Sequence, residues 1–344
     1  MQHIEDVIVY NINKISAGGE IMLICKSFII LSISVLLLLC LSISCDQDKS
    51  DSLKNNQINN MAYLGQKPPG MVPEKFAEGI LPTDGIQHCF PAFSPDGNEV
   101  YWMNVDMEAR KGIIKYMEVS DGVWSKPEIA SFSGEFNDHA PVFSSDGKRI
   151  YFASSRPSGT GKGKNIWYVE RNESGWSDPV NLGSPPNTEL GASQPSLTRD
   201  GSIYFVGILE GAQWNTGIYR SKIIDGSYSD PEPVVEIFNT IEGKVIDTTY
   251  VDYTPYIAPD ESYLIFSSSR PGRKSTETDM YVSFKNKYGS WREPVNMGDK
   301  INNGMTATFP FVSHDGKYLF FNRFDETDTD VFFWVSSKVI DEFR

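Results

Sequence analysis

Pro141-Val142-Phe143-Ser144-Ser145-Asp146-Gly147-Lys148-Arg149-Ile150-Tyr151-Phe152 reads as a short strand, a tight turn and a second strand. A short acidic side chain can accept bonds from the turn amides, while the glycine after it supplies a positive φ without steric cost. The same pattern recurs as PAFSPDGNEVYW from Pro91, PSLTRDGSIYF from Pro195, PYIAPDESYLIF from Pro255 and PFVSHDGKYLFF from Pro310. The turn acids are Asp96, Asp146, Asp200, Asp260 and Asp315. Such regular recurrence marks a repeat architecture. Glu261 stands where the other four repeats have glycine, and the same turn geometry there would cost on the order of 1 kcal/mol.

A second motif alternates with the first: Trp124-Ser125-Lys126-Pro127, Trp176-Ser177-Asp178-Pro179, Tyr228-Ser229-Asp230-Pro231 and Trp291-Arg292-Glu293-Pro294. Proline cannot donate to a ladder, so this strand is expected at a sheet edge. Between the motifs lies an aromatic strand, seen at Ile166-Trp167-Tyr168-Val169, Ile218-Tyr219, Met280-Tyr281-Val282 and Val331-Phe332-Phe333-Trp334. Four antiparallel strands in each repeat make one propeller blade. The sequence thus predicts an all-β fold, a β-propeller of four-stranded blades. Five repeats favour five blades and leave six open. The edge motif is one short, and Pro73-Glu74-Lys75-Phe76 precedes the first repeat, so this N-terminal strand is expected to complete the last blade and close the ring.

The turn motif, the strand after it and Ser154-Ser155-Arg156-Pro157-Ser158 with Ser268-Ser269-Arg270-Pro271-Gly272 resemble the WD40-like (PD40) repeats of TolB-like propellers. The resemblance spans roughly residues 62–338. It implies the fold; members of that family include binding scaffolds, peptidase-associated propellers and glycan-active proteins, so it does not imply one activity.

Ahead of the repeats, Phe28 to Ser44 is an apolar run ending at Cys45. It is shorter than the roughly 20 residues of a bilayer span and is followed by a polar stretch, as in a signal peptide. Ser42-Ile43-Ser44-Cys45 resembles a bacterial lipobox, which makes Cys45 the expected lipidation site. Residues 1–21 carry Glu5, Asp6 and Glu20 against Lys14, the wrong charge for a signal, so translation is expected to begin at Met22. The expected organisation is a start extension at 1–21, a lipoprotein signal peptide at 22–44, a flexible tether at 45–61 and the propeller at 62–344. These features place the protein outside the cytoplasm, lipid-anchored in the bacterial cell envelope (periplasm or outer membrane).

Composition narrows the function. The chain has a net charge of -14, 12% aromatic residues, four His and four Cys. The acidic balance argues against nucleic-acid binding, because phosphate neutralisation needs clustered cations. No nucleophile motif, phosphate loop or zinc signature is present, and no cofactor or metal is expected. Cys89 is left in the folded part without a disulfide partner and reads as a small buried hydrophobe.

The residues just before each first strand are expected to line the channel mouth: His88 and Cys89, Asp138 and His139, Ala192 and Ser193, Asp252 and Tyr253, Ala307 and Thr308. Arg156, Arg270 and Arg323 fall in the hairpins after the second strands, facing Asn165, Asp279 and Asp330, where a bond across each hairpin is the plain expectation. The longest connection runs from Pro231 to Pro255, and its extra residues, between about Glu236 and Asp252, are expected to raise one wall of that face. Asp325, Asp328 and Asp330 lack the glycine of a calcium loop and read as a solvated hairpin tip. The expected binding set is therefore His88, Asp138, His139, Arg156, Asp252, Tyr253, Arg270 and Arg323. The leading reading is a non-catalytic monomer that binds an envelope protein or a glycan. The alternative is a saccharide-active enzyme, a glycoside hydrolase or lyase, using Asp138, His139 and Asp252.

Overall fold

The computed structural model describes residues 62–81, 89–159, 163–189, 191–208, 216–234, 251–273, 278–303, 306–324 and 330–344, together with the backbone of the strand pair Thr240–Ile241 and Lys244–Val245. The expectations for the signal peptide, Cys45, His88, Asp325, Asp328 and most of the long connection lie outside these residues. No helix among the described residues is long and apolar enough to cross a membrane.

Each repeat builds an antiparallel blade. In the second blade, Asp138–Phe143 pairs with Arg149–Ser154, which pairs with Asn165–Asn172. Equivalent inner strands are Ala92–Phe93, Ser193–Leu197, Asp252–Ile257 and Ala307–Val312, giving the five blades of a propeller. The turn is held as its chemistry requires. Ser144 Oγ donates to Asp146 Oδ1 at 2.7 Å, and the Lys148 amide donates to the same oxygen at 3.1 Å. The first, third and fifth blades repeat this with Ser94 and Asp96, Thr198 and Asp200, and Ser313 and Asp315. The fourth keeps the geometry without glycine: Glu261 has φ 56° and the Ser262 amide donates to Asp260 Oδ1 at 3.0 Å.

The ring closes as the sequence predicts. Glu74–Lys75 pairs with the strand Asp330–Ser336 of the fifth blade, Glu74 opposite Trp334. Phe76 locks the joint, its ring 5.0 Å from both Phe320 and Trp334 in the fifth blade and 5.9 Å from Phe93 in the first. Tyr63 packs edge-on against Phe93 and Tyr318, each at 5.1 Å.

Two sequence expectations need correction. The outer strand is not continuous through its proline. It is cut into two-residue pieces, Val123–Trp124 and Glu128–Ile129 in the first blade and Gly175–Trp176 and Val180–Asn181 in the second. At the cut the motif serine replaces one ladder partner: the Ser177 amide donates to Glu170 O at 2.8 Å and Ser177 Oγ accepts from the Glu170 amide at 3.0 Å. Ser125 and Ser229 do the same with Glu118 and Lys222.

The inner strand, second, is expected after its proline and starts there in the first blade alone, at Ala92. In blades two, four and five it starts three residues before the proline, and the residue just before the proline takes a left-handed backbone in four blades: Ala140, Gln194, Thr254 and Phe309, at φ 50–53°. A shift in register marks each of these bulges. Bulges of this kind re-aim the side chains on either side.

Candidate functional site

The left-handed residues form a chain of contacts around the axis. The Ala140 amide donates to Cys89 Sγ at 3.1 Å, the Thr254 amide to Gln194 Oε1 at 2.9 Å, and the Phe309 amide to Thr254 Oγ1 at 3.3 Å. Three of the four amides freed by the bulges are thus satisfied by the preceding blade, which ties the blades together where the inner strands converge. Deeper along the axis, aromatic side chains fill the channel. Phe90 stacks on Phe311 at 4.7 Å, Tyr256 meets Phe311 edge-on at 5.9 Å, and the space left there is about 40 Å³.

The expected channel acids are struts. Asp138 is 0% exposed; its Oδ1 accepts from Arg156 Nη1 at 2.5 Å and its Oδ2 from Ser133 Oγ at 2.8 Å. Arg156 also donates to Ser154 Oγ at 2.7 Å and to the Phe132 carbonyl. Asp252, 2% exposed, takes both oxygens to Arg270 Nη2 at 3.0 and 3.1 Å. Burial pushes both carboxyls upward, opposed by the guanidinium and serine groups around them.

Arg156 and Arg270 therefore pair with the start of the inner strand rather than across their own hairpins as the sequence suggested. The register explains it: Asp138 lies opposite Ser154 and Asp252 opposite Ser268, so the arginine two residues on projects to the same side. In the fifth blade Ala307 replaces the acid, and Arg323 donates instead to the carbonyls of Ile301 and Lys300 at 3.3 and 3.4 Å, lying 3.9 Å over the Phe333 ring. Asp330 accepts from Asn322 Nδ2 at 3.3 Å within its own hairpin.

The remaining mouth residues share one register position, two before each proline: Cys89, His139, Ser193, Tyr253 and Thr308. Tyr253 Oη lies 2.9 Å from Thr278 Oγ1. His139 is 7% exposed and its Nε2 has no hydrogen-bond partner. Burial, and then the Lys164 charge, hold this imidazole well below its ordinary value, so it is neutral. Burial pushes the Cys89 thiol up to about 12, which makes it an inert buried side chain. No motif marks Lys164. It immediately precedes the third strand of its blade, and its charge is felt by both His139 and Cys89.

A second concavity of about 460 Å³ opens between blades two and three at the turn end, against Tyr151, Arg149, Glu170, Arg199 and Asp200. Gly201 lines it, at the turn position where the fourth blade has Glu261. At the next seam Glu261 fills the equivalent position, accepting from Tyr204 Oη at 2.7 Å and Lys285 Nζ at 2.6 Å. The groove's charges are largely spent on one another, with Arg149 on Glu170 at 2.5 Å and Arg171 on Glu99 at 2.6 Å.

No family model matches the chain, and no curated protein matches it. Among solved structures it is similar to a putative TolB from Agrobacterium tumefaciens, at 19% identity and a TM-score of 0.46 over 70% of this chain and 71% of that one. It is also similar to an endo-arabinase from Bacteroides thetaiotaomicron (16%, TM-score 0.47, 79% and 97% of the two chains). A third likeness is to an alpha-L-arabinofuranosidase from Lactobacillus brevis (14%, TM-score 0.45, 69% and 86%). These are likenesses of fold. The chain is a five-bladed β-propeller closed by its own N-terminal strand, with a polar channel mouth above an aromatic plug.

Proposed function

We propose that this protein is an exported, lipid-anchored binding module that takes an envelope glycan or protein at the channel mouth without transforming it. One observation carries the preference for binding over catalysis. The acids best placed for acid–base work, Asp138 and Asp252, are each sealed beneath the surface against an arginine. A general acid or base has to reach the proton it moves, and neither carboxylate does so without breaking a buried ion pair. Of the groups at the mouth, Ser193, Tyr253, Thr308 and Lys164 are half-buried hydroxyls and an ammonium suited to holding a polar ligand. The N-terminal apolar run ending at Cys45 supports export and anchoring.

The test uses the full-length protein in its native envelope. Tyr253→Ala should abolish capture of the envelope ligand, whereas Tyr288→Ala, at a position 81% exposed away from the mouth, should leave capture intact. The opposite pattern contradicts the site. Cys45→Ala should move the protein from the membrane pellet to the soluble fraction, and retention in the pellet contradicts the anchor.

A further inference from the structure

At the mouth, His139 Nε2 has no hydrogen-bond partner and Lys164 no ion-pair partner among the described residues. The Lys164 backbone is fixed, its carbonyl accepting from the Ala192 amide at 2.9 Å, so the side chain springs from the seam between blades two and three. The residue is half-buried, and among the described residues no carboxylate pairs with its ammonium. The other nearby cations are spent: Arg156 on Asp138, Arg270 on Asp252 and Arg323 on backbone carbonyls. An ammonium drawn out of water without a counter-ion is costly, as is a buried imidazole nitrogen with no partner.

One ligand group answers both deficits. A planar carboxylate has two oxygens, and the site offers two unused polar groups, one cationic and one neutral. A sulfate or phosphate ester would bring three terminal oxygens where this pair can serve two. Asp330, whose charge is also felt at Cys89, accepts from Asn322 Nδ2. Of the four other positions in the register of His139, one is Cys89 and three, Ser193, Tyr253 and Thr308, carry hydroxyls that match a ligand rich in hydroxyls.

We propose that the mouth binds the carboxylate of a sugar acid, with one oxygen on Lys164 Nζ, the other on the His139 imidazole, and the sugar hydroxyls on Ser193, Tyr253 and Thr308. This rests on the reading of the mouth as a binding site and names its ligand class. The global charge of -14 repels anions, so recognition comes from this local pair and not from general attraction.

The test is a titration of the full-length protein with D-glucuronate, with D-glucose and acetate as controls, followed by calorimetry and by the imidazole NMR signals of His139. Glucuronate should shift those signals and bind at least about tenfold more tightly than either control. Lys164→Met, which keeps the stem and removes the charge, should weaken glucuronate by about ten- to a hundred-fold and leave glucose unchanged, the loss expected for one charge-assisted bond. Equal binding of glucuronate by Lys164→Met overturns the proposal, as do unshifted His139 signals. Acetate binding as tightly as glucuronate overturns the sugar part, and so does a peptide with a free C-terminus that binds at Lys164 where glucuronate does not. If glucuronate fails while Tyr253→Ala still abolishes envelope capture, the ligand class is wrong and the mouth reading stands; if both fail, both fall.

Discussion

Phe76→Ala tests ring closure with one side chain. The ring is 3% exposed and wedged among Phe93, Phe320 and Trp334, so it touches the first blade and the last at once. Truncation removes the transfer free energy of a buried phenyl and leaves a hole walled by other rigid rings, which cannot collapse to fill it. Large-to-small changes of this kind cost about 3–5 kcal/mol. For a domain of this size that lowers Tm by roughly 6–20 °C. The Glu74–Lys75 pairing depends on the same anchor, so hydrogen exchange in Asp330–Ser336 should rise as well. Differential scanning calorimetry of Phe76→Ala beside Val72→Ala, a change at a position 67% exposed, is the assay. A shift in Phe76→Ala no larger than in the control would refute the claim that this residue closes the ring.

Other contacts lend themselves to the same kind of test. Glu261→Gly relieves about 1 kcal/mol of backbone strain but strips the buried Tyr204 hydroxyl and Lys285 of their partner, at about 1–3 kcal/mol for the hydroxyl alone, so the variant should melt lower. Adding Tyr204→Phe should recover part of that loss, and a Glu261→Gly that melts higher than wild type contradicts the bridging role. Arg156→Met should destabilise by about 3–5 kcal/mol because it orphans a buried carboxylate, and Arg156→Met with Asp138→Leu should cost less than Arg156→Met alone; a double variant worse than the single one by chemical denaturation contradicts the strut. Burial holds His139 and His314 below the ordinary imidazole value, so the unfolded chain binds more protons just below pH 6.5. Stability is then complete above that pH and falls as pH drops, by up to about 1.4 kcal/mol per pH unit per histidine, and His139→Gln should flatten the slope between pH 6.5 and 5. The raised carboxyls of Asp138 and Asp252 act with the opposite sign, above their unfolded value near 3.8. An unchanged slope in His139→Gln contradicts the burial of that ring as a neutral group.

What can be read in the sequence and what cannot divides along a physical line. Turn chemistry is local: an acid, a glycine and the strands on either side lie close together in the chain, so Asp146 and Gly147 declare their hairpin and five copies declare the ring. Closure is legible because an unpaired edge must be covered and Pro73 to Phe76 is a spare segment able to cover it. The arginine partners are hidden because the left-handed residue before each proline starts the inner strand early and brings Asp138 opposite Ser154. A signal is nevertheless there, since the two arginines with a carboxylate partner follow it at the same separation along the chain, Asp138 to Arg156 and Asp252 to Arg270. Lys164 is invisible because its charge acts on His139 and Cys89, which lie far from it in the chain and near it only once the blades have formed. Glu261 reads only as a misfit in its turn, since Tyr204 lies far away in sequence, in the neighbouring blade.

The proposed function has the mouth bind a glycan and not cleave it. It is tested most directly by following envelope glycan in one experiment for both saturable binding and new reducing ends, with wild-type protein and Asp252→Asn. Saturable binding that Tyr253→Ala removes is expected, with the length of the glycan unchanged. New reducing ends made by the wild type and lost in a folded Asp252→Asn would contradict it and establish the buried acid as catalytic.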